Sequence, residues 1–371
     1  MKLSDLLDDV RVDAPPARYD ADDAVLAGKR LRRRRRGGMT VAAVVAVAVA
    51  IGVPQLAGRA ADPLPSLPAA PTPSITPSPT GKAGHGPDLT YTLHGFTTGK
   101  LRVDDPYRWS LAGETAMIEK KGGQADAQEG EVTLYRPGID PRGTLDGAKI
   151  TATSAIHGRP AWRVDAAGAP LLLWEYADDA MALATVRADG PGRWALTPAE
   201  LRQVAEALEP GAPQPVMLAF GTSYVPPDYR IVEVAGRFSS GQVSSAQLVP
   251  TSEAVARLGR PDPNPKIVRD RRGLMLWLSP TVPSDHGAPR AGVICPERVA
   301  LKGIPVEKQP RHCFVFLPGG KNVLEVFGPD SADEKELRKL LEGARFGQVD
   351  KPATWLAAGT GFPASAQVGG R

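Results

Sequence analysis

The sequence predicts an α+β protein in which two repeated subdomains, each an antiparallel β-sheet plus one helix, lie outside a single transmembrane helix. Three observations lead to this prediction. Residues 38–58 form a charge-free, largely apolar segment beside a run of arginines. From residue 89 onward, short alternating or aliphatic runs are separated by Gly, Pro and Asp, which is typical of strands joined by tight turns. Two blocks of such strands each end in an amphipathic helix, which indicates α+β.

The segment between Arg36 and Arg59 contains no ionisable side chain. As a helix it would reach ~33 Å, close to the ~30 Å hydrocarbon core of a bilayer. The arginines before it are expected to stay cytoplasmic, so the chain after residue 59 is expected on the outer side. A cleaved signal peptide and a nucleic-acid-binding basic run are the alternatives. The uncleaved signal-anchor is favoured because the leader before the span is long for a signal peptide. The membrane-flanking residues are Arg32, Arg33, Arg34, Arg35 and Arg36.

Residues 1–37 are predicted to form a cytoplasmic tail. Apolar residues recur at helical spacing near its start, and Ser4 can cap that turn, so a short amphipathic helix is expected. The tail holds ten Lys or Arg and seven Asp, so most of the formal net charge of +4 lies there. The overall charge therefore indicates nothing about a ligand of the outer domain. The candidate partner-binding residues of the helix are Leu3, Leu6, Leu7 and Val10.

Residues 59–88 are dense in Pro with interspersed Ser and Thr. Such a composition cannot bury a core and favours extended polyproline II, so a disordered stalk is predicted. The first β-rich subdomain is expected over 89–211. Its strands are followed by a helix with Thr197 as N-cap, Pro198 at the first helical position and Glu200 at the capping-box position.

The second β-rich subdomain is expected over 212–350 and repeats this order. The run PLLLWEYADDAMALATV in the first half parallels HCFVFLPGGKNVLEVF in the second. The closing helix is predicted to begin with Ser331 and Glu334 as a capping box. A further helix is expected at TSEAVARLG. Residues 351–371, rich in small side chains, are predicted to form a flexible C-terminal tail. The inward-facing residues of the closing helix are expected to be Leu337, Leu340 and Leu341.

The two cysteines of the chain are Cys295 and Cys313. In the predicted topology both lie outside the membrane, in a compartment where disulfides persist, so a disulfide between them is predicted. The alternative is a metal site that also uses His312. Adjacent residues of a strand point to opposite sides, which disfavours that site.

Motifs that carry a known reaction are missing from the sequence. It has no Gly-x-Ser-x-Gly elbow, His-Glu-x-x-His, Ser-x-x-Lys, phosphate loop or dinucleotide fingerprint. We therefore predict no enzyme, no catalytic residue, no cofactor and no metal. The run SDHG, residues 284–287, is interpreted as a solvent loop. Aromatic residues at alternating strand positions are interpreted as core or sheet-face residues, with a ligand groove as the alternative. These aromatic residues are Trp109, Trp162, Trp174, Tyr176 and Trp277.

The stretch DLLDDVRVDAPPARYDADDAVLAGKRLRRRRR, together with the pattern at Leu172–Tyr176 and Glu200–Leu208, resembles single-pass membrane proteins of high-GC Gram-positive bacteria with an anti-sigma-factor-like layout. The resemblance implies regulation of a cytoplasmic partner such as a sigma factor. Residues 1–38 contain neither His nor Cys, so they depart from the zinc-type anti-sigma domain.

Two functional hypotheses follow. The first is a non-catalytic, membrane-anchored cell-envelope protein whose outer domain binds or senses an unknown extracytoplasmic ligand. Its tail would regulate a cytoplasmic protein by placing an apolar helix face in a groove. The second is an extracytoplasmic lipid or lipoprotein carrier whose tail only sets the topology, by analogy with open half-barrels, and it requires a large apolar concavity. The lipid bilayer and a cytoplasmic regulator are the expected partners, and nucleic acid is not.

Overall fold

The computed structural model describes residues 88–122, 128–145, 147–189, 193–236, 243–261, 273–281, 287–296 and 311–368. All of them belong to one compact unit, Pro73–Arg371. The predicted cytoplasmic tail, the predicted span and all but the last residue of the predicted stalk lie outside these ranges. Within the described ranges, no helix combines the length and the apolar character that a membrane crossing requires.

Strands dominate the described residues, and their pairings are antiparallel, which confirms a sheet-rich α+β fold. The helices are α1 (Pro198–Ala207), α2 (Thr251–Arg257), α3 (Glu334–Glu342) and α4 (Ala358–Gly361). Short 3-10 helices lie at Pro141–Thr144, Pro352–Thr354 and Ala364–Ala366. The strands are β1 (Thr90–Tyr91), β2 (Phe96–Thr98), β3 (Leu101–Val103), β4 (Arg108–Ser110), β5 (Gly113–Lys120), β6 (Gln128–Tyr135), β7 (Lys149–Ile156), β8 (Arg159–Ala166), β9 (Ala169–Ala177), β10 (Ala180–Val186), β11 (Gln214–Pro215), β12 (Met217–Leu218), β13 (Phe220–Thr222), β14 (Tyr229–Ala235), β15 (Ser244–Pro250), β16 (Leu274–Pro280), β17 (Arg311–Phe316), β18 (Asn322–Gly328), β19 (Ala344–Phe346) and β20 (Leu356–Ala357).

One 14-stranded sheet forms the framework of the unit. Its strands follow the order β17-β18-β16-β15-β14-β4-β5-β6-β10-β9-β8-β7, and the hairpin of β2 and β3 joins it at β5. The strands of the two predicted subdomains meet where β14 pairs with β4, with Val234 opposite Trp109. The two halves of the chain therefore share a continuous sheet. The remaining strands form the small pairs β1–β11, β12–β20 and β13–β19.

Two-residue turns join β7 to β8, β8 to β9 and β9 to β10. His157 and Gly158 both adopt positive φ in the first turn, and Ala167 and Gly168 do so in the second. Positive φ at both central residues is the type I′ pattern, whose twist matches that of paired strands. The hairpins that the sequence predicts at DAAG and YADDA are confirmed.

Helix α1 forms as the sequence predicts. The Thr197 hydroxyl accepts the backbone N–H of Glu200, and the Glu200 carboxylate accepts the backbone N–H of Thr197, so the capping box is complete. Leu201 and Val204 are buried on the side of α1 that faces β9 and β10. They pack in one core with Trp174 of β9.

Helix α3 begins later than the sequence predicts. Its N-cap is Asp333, whose carboxylate accepts the backbone N–H of Lys335. Ser331, the predicted cap, lies in the turn before it. Asp and Ser are about equally good N-caps, so the local sequence does not distinguish the two starts. The predicted inward-facing residues of α3, Leu337, Leu340 and Leu341, are buried. The helix predicted at TSEAVARLG is confirmed as α2.

Helices α1 and α3 pack on the same face of the sheet, which we call the helix-covered face. Trp174 lies on it beneath α1, and Leu324 of β18 lies on it in the core that includes α3. Strand residues alternate between the two faces. The other face, which we call the opposite face, carries Glu233 of β14, Gln247 of β15 and Trp277 of β16. The helix-covered face is mainly apolar, whereas the opposite face combines these polar and aromatic groups with an apolar cluster around Leu173 and Leu183.

The prediction of a flexible tail over 351–371 is wrong for its described part. β20 pairs with β12, and Phe362, which is 3% exposed, packs edge-to-face against Phe220 with the ring centroids 6.1 Å apart. A Cβ at Gly221 would lie 2.3 Å from the carbonyl oxygen of Gly361, so glycine is required for this close approach of two backbones. The small residues that resemble a disordered tail are instead the ones that allow it to pack.

Candidate functional site

Charged groups concentrate where the two halves of the sheet meet, around β4, β5, β6 and β14. We call this set the junction cluster. Its members lie on both faces of the sheet, and one of them, Glu114, contacts the segment by which the chain enters the fold. The charged residues of the junction cluster are Arg108, Glu114, Glu131, Arg136 and Glu233.

Glu114 is the buried carboxylate of this cluster, with 6% of its surface exposed. It accepts the backbone N–H of Thr92 at 2.8 Å, the Thr92 hydroxyl at 2.5 Å and the backbone N–H of Leu93 at 3.1 Å. Burial raises the pKa of Glu114, and these hydrogen bonds and the charge of Arg136 oppose the rise. Glu114 therefore fastens the incoming chain to β5.

Residues 88–94, which we call the anchor segment, contact both halves of the sheet. Leu89 is buried in the core of the second half, and Leu93 is buried in the core of the first. Between them, the N–H of Gly211, in the joint between the halves, donates to the Thr92 carbonyl at 2.7 Å. The backbone of the anchor segment is thus bound on one side by β5 and on the other by the joint.

Trp109 of β4 adds a third attachment. Its indole N–H donates to the carbonyl of Asp88 at 3.0 Å, and the guanidinium of Arg136 lies over its ring, 5.3 Å from the centroid. Trp109 is 2% exposed and sits opposite Val234 in the pairing that joins the halves. A single buried side chain thus touches the first residue of the anchor segment and the seam of the sheet.

The opposite face of the junction carries further polar contacts. The Tyr107 hydroxyl donates to Glu131 at 2.8 Å, and burial, followed by the charge of Glu131, raises the pKa of Tyr107. Arg108 donates to the Thr115 hydroxyl at 3.4 Å and lies 3.9 Å from Glu233. Because Arg108 belongs to β4 and Glu233 to β14, this charge pair also spans the seam between the halves.

A second polar group lies at the β17 end of the opposite face. His312 Nε2 lies 3.0 Å from a carboxylate oxygen of Glu325, and the His312 ring stacks on Phe327 with centroids 4.5 Å apart. Trp277 meets Phe327 edge-on at 5.7 Å. Glu325 is 9% exposed, so the imidazole is the polar partner of a buried carboxylate.

The predicted disulfide between Cys295 and Cys313 is confirmed, with the two Cα atoms 4.2 Å apart. Cys313 lies opposite Val326 in β18, on the helix-covered face, whereas His312 lies opposite Phe327 on the other face. The three side chains of the alternative metal site are therefore not brought together. Among the described residues, no group of three or more His, Cys, Asp or Glu is arranged to hold a metal ion.

The other sequence-predicted residues divide into two groups. One group lies outside the described residues: the candidate partner-binding leucines and valine of the tail, the membrane-flanking arginines at 32–36, and the first three residues of SDHG. Trp174 is 1% exposed, and Trp162, Tyr176 and Trp277 are half-buried. The Tyr176 hydroxyl donates to the Tyr135 carbonyl at 2.9 Å. These aromatic side chains are thus core or sheet-face residues, as interpreted from the sequence.

The sequence interpretation did not identify Glu114 as a site residue. A signal was present: in GETAMIEK, Glu114 occupies the same strand face as Ala116 and Ile118, which are completely buried. An acidic residue at an inward position of an alternating strand indicates a buried partner. Its partners, the Thr92 hydroxyl and the backbone N–H groups of Thr92 and Leu93, could not be inferred, because nothing in the sequence pairs Glu114 with a segment more than twenty positions earlier.

The lipid-carrier hypothesis requires an apolar concavity. In the described first half, the place beneath α1 is occupied by Trp174, Leu201 and Val204, whose exposed fractions are 1%, 1% and 0%. These side chains form part of a close-packed core rather than the lining of a space.

Comparisons with solved structures give several likenesses, two of which are described here. A crystal structure of MucB in complex with MucA(peri) is 14% identical to this chain, with a TM-score of 0.20, covering 69% of this chain and 91% of that chain. The MucA/MucB complex of Pseudomonas aeruginosa is 13% identical, with the same TM-score of 0.20 and the same coverage of 69% and 91%. At that TM-score the likeness carries no argument about function. No family model and no curated protein matches the chain.

Proposed function

We propose that this chain is a non-catalytic, membrane-anchored protein of the cell envelope, whose outer domain binds a ligand or partner and relays that event to a cytoplasmic protein. The observation that carries the proposal is the attachment of the anchor segment to both halves of the sheet. That segment follows the predicted stalk, so it is the point at which the folded unit joins the part of the chain that leads to the predicted membrane span.

Buried contacts hold the anchor segment rather than surface contacts. Leu89 and Leu93 are 6% and 1% exposed, and they belong to different cores. A shift of one half against the other would therefore pull on two points only four positions apart in the chain. Glu114 and the joint residue Gly211 fix the backbone between those points through Thr92. Packed elements of this kind switch between discrete arrangements instead of deforming continuously, which suits a relay.

The disulfide supports the orientation of the proposal. Disulfides persist in extracytoplasmic compartments and are rare in the cytosol, so Cys295–Cys313 favours an outer location for the sheet. If the membrane-flanking arginines at 32–36 are cytoplasmic, the amphipathic stretch with Leu3, Leu6, Leu7 and Val10 lies on the inner side of the membrane. An apolar stripe on a short acidic helix suits a groove in a regulator such as a sigma factor.

We also propose that the two halves are diverged copies of one sheet-plus-helix unit. The hairpin of β9 and β10 is followed by α1, and the hairpin of β17 and β18 is followed by α3. Both helices lie on the helix-covered face of their own half. This correspondence agrees with the parallel runs in the sequence.

The relay is tested by capturing partners with the full-length chain from membranes of the source cells. The Leu6→Asp variant places a charge in the apolar stripe and is expected to lose the specific partner. The matched control is Asp8→Asn, on the polar side of the same stretch, which is expected to retain it. If Leu6→Asp retains every specific partner, the relay through the tail is wrong.

A further inference from the structure

Strand β7 forms one end of the 14-stranded sheet, and its outer edge is open among the described residues. It pairs with β8, and seven of its eight residues are exposed. The sequence KITATSAI has no proline and a single charge, at Lys149. Natural proteins usually protect such edges with charges, prolines or covering loops, so an open edge of this length needs a reason.

The hairpin geometry shows which backbone groups face outward. Ala166 and Ala169 flank the two-residue turn between β8 and β9 and form a hydrogen-bonded pair. Successive residues of a strand direct these backbone groups to opposite sides, so the N–H and C=O groups of Arg163 point toward β7 and pair with Thr151. Because Thr151 faces β8, its neighbours Ile150 and Ala152 direct their N–H and C=O groups to the outer edge.

The far end of the strand is already blocked. The Arg202 guanidinium of α1 donates to the carbonyls of Ser154 and Ala155 at 2.9 Å and 2.8 Å. The pairing with β8 also shifts register between Thr153 and Ile156. Such a bulge ends regular pairing, so the open edge is limited to residues 149–153.

The two faces beside the open edge differ. Ile150, 36% exposed, and Ala152 lie on one face, beside the half-buried Trp162, whose ring is covered by the guanidinium of Arg142 at 5.3 Å from the centroid. Lys149 and Thr151 lie on the other face, beside the exposed side chain of Arg163. Neither Lys149 nor Arg163 forms an ion pair with another described residue. Asp165 also lies on this second face, opposite Lys149, and its carboxylate accepts the backbone N–H of Gly168. The edge therefore has Ile150 and Ala152 on one face and, on the other, two positive charges against one negative charge.

We propose that the open edge of β7 at residues 149–153 pairs with an extended segment of another protein in which acidic residues alternate with apolar ones. The backbone groups of Ile150 and Ala152 supply the ladder, and the alternation supplies specificity. Apolar side chains of the incoming strand meet Ile150 and Ala152, and its carboxylates meet Lys149 and Arg163. The inference rests on the proposed function only in that the outer domain binds a partner.

Charge disfavours a second copy of this chain as the occupant. Two β7 strands paired antiparallel about a two-fold axis perpendicular to the sheet would place Lys149, Arg163 and Asp165 of both copies on the same face, which would then carry an excess of positive charge. Repulsion between these charges opposes self-pairing, whereas carboxylates on that face are attracted.

The test uses the full-length chain in phospholipid nanodiscs and a synthetic peptide in which valine alternates with glutamate. The comparison peptide alternates valine with lysine. We expect the glutamate peptide to slow hydrogen exchange at residues 149–153 and the lysine peptide to have no effect on it. Ala152→Pro, which removes an outward N–H, is expected to abolish that protection.

A second pair of variants tests the same edge without proline, so that the test does not depend on the folding of Ala152→Pro. Arg163→Glu changes an exposed side chain and is expected to reverse the preference toward the lysine peptide, while Arg260→Glu, at an exposed arginine elsewhere, is expected to leave it unchanged. Equal binding of both peptides, protection that survives Ala152→Pro, or concentration-dependent protection of the chain alone would each overturn the proposal. If the edge proposal fails in this way while the tail still captures its partner, only the edge proposal is wrong and the proposed relay is unaffected.

Discussion

The carboxylate of Glu114 accepts both the backbone N–H and the hydroxyl of Thr92, at 2.8 Å and 2.5 Å, and so ties the first residues of the fold to a strand at the seam of the sheet. The Glu114 side chain is buried, and its contact with Thr92 lies between two cores that belong to different halves of the chain. The stability of the seam and the attachment of the stalk therefore depend on the same carboxylate.

Replacing Glu114 by Ala is expected to lower the free energy of unfolding by about 3 kcal/mol, because the N–H groups of Thr92 and Leu93 lose their acceptor in a buried place. Chemical denaturation of the full-length chain measures the change. The control is Asp178→Ala, an 84% exposed partner of Arg159, for which the expected loss is below about 1 kcal/mol. Equal effects of the two substitutions would contradict the role given to Glu114.

Glu114 also predicts a pH dependence. Its pKa in the folded state is raised above the ordinary 4.5, so the folded protein binds this proton more tightly than the unfolded chain does. The stability that protonation contributes is fully present below 4.5 and is lost as the pH rises through the folded pKa.

The Glu114→Gln variant isolates this contribution, because the carboxyl groups whose pKa is lowered, Asp140, Glu200 and Glu336, remain in both proteins and cancel in the comparison. Between pH 4.5 and neutrality, the stability of the wild type relative to Glu114→Gln is expected to fall with rising pH. Parallel stability curves for the two proteins would show that Glu114 titrates as it does in the unfolded chain.

Reduction of Cys295–Cys313 is expected to destabilise the β17 end of the sheet. The bridge closes a loop with a sequence separation of 18, which corresponds to about 3 kcal/mol in the chain-entropy model. Thermal unfolding with and without a reductant measures the loss, and the Cys295→Ser/Cys313→Ser double variant serves as control because the reductant should not affect it. An unchanged melting temperature in fully reduced wild type would contradict the expectation.

The C-terminal segment provides another prediction. Phe362→Ala is expected to cost about 3 kcal/mol, because it leaves a cavity beside Phe220 in the core of the second half. Ser365→Ala, at an exposed position three residues later, is the control and should be nearly neutral. If the two variants unfold at the same denaturant concentration, the segment does not pack as described.

The structural features that could be predicted from the sequence are those set by a local pattern of residues. The capping box of Thr197 and Glu200, the hairpins at DAAG and YADDA, the disulfide and the buried leucines of α3 all follow from spacing or residue type. The cap of α3 was placed at Ser331 instead of Asp333 because both residues can accept an amide N–H at a helix start.

Features made by contacts between distant parts of the chain could not be predicted. The segment 351–368 packs through β12 and β13, more than a hundred positions away, and its small side chains carry no strand or helix period. The pairing of β4 with β14, which merges two predicted sheets into one, depends on a register that no turn specifies. Glu114 was missed for the same reason, since its partners, the Thr92 hydroxyl and the backbone N–H groups of Thr92 and Leu93, lie more than twenty positions earlier in the chain.

The most direct test of the proposed function is the location of the two chain ends in intact cells that carry a different epitope tag at each terminus. The account predicts that an antibody added outside reaches the C-terminal tag, while the N-terminal tag is reached only after the membrane is permeabilised. Equal access to both tags in intact cells would contradict a protein that relays an outer binding event to an inner partner.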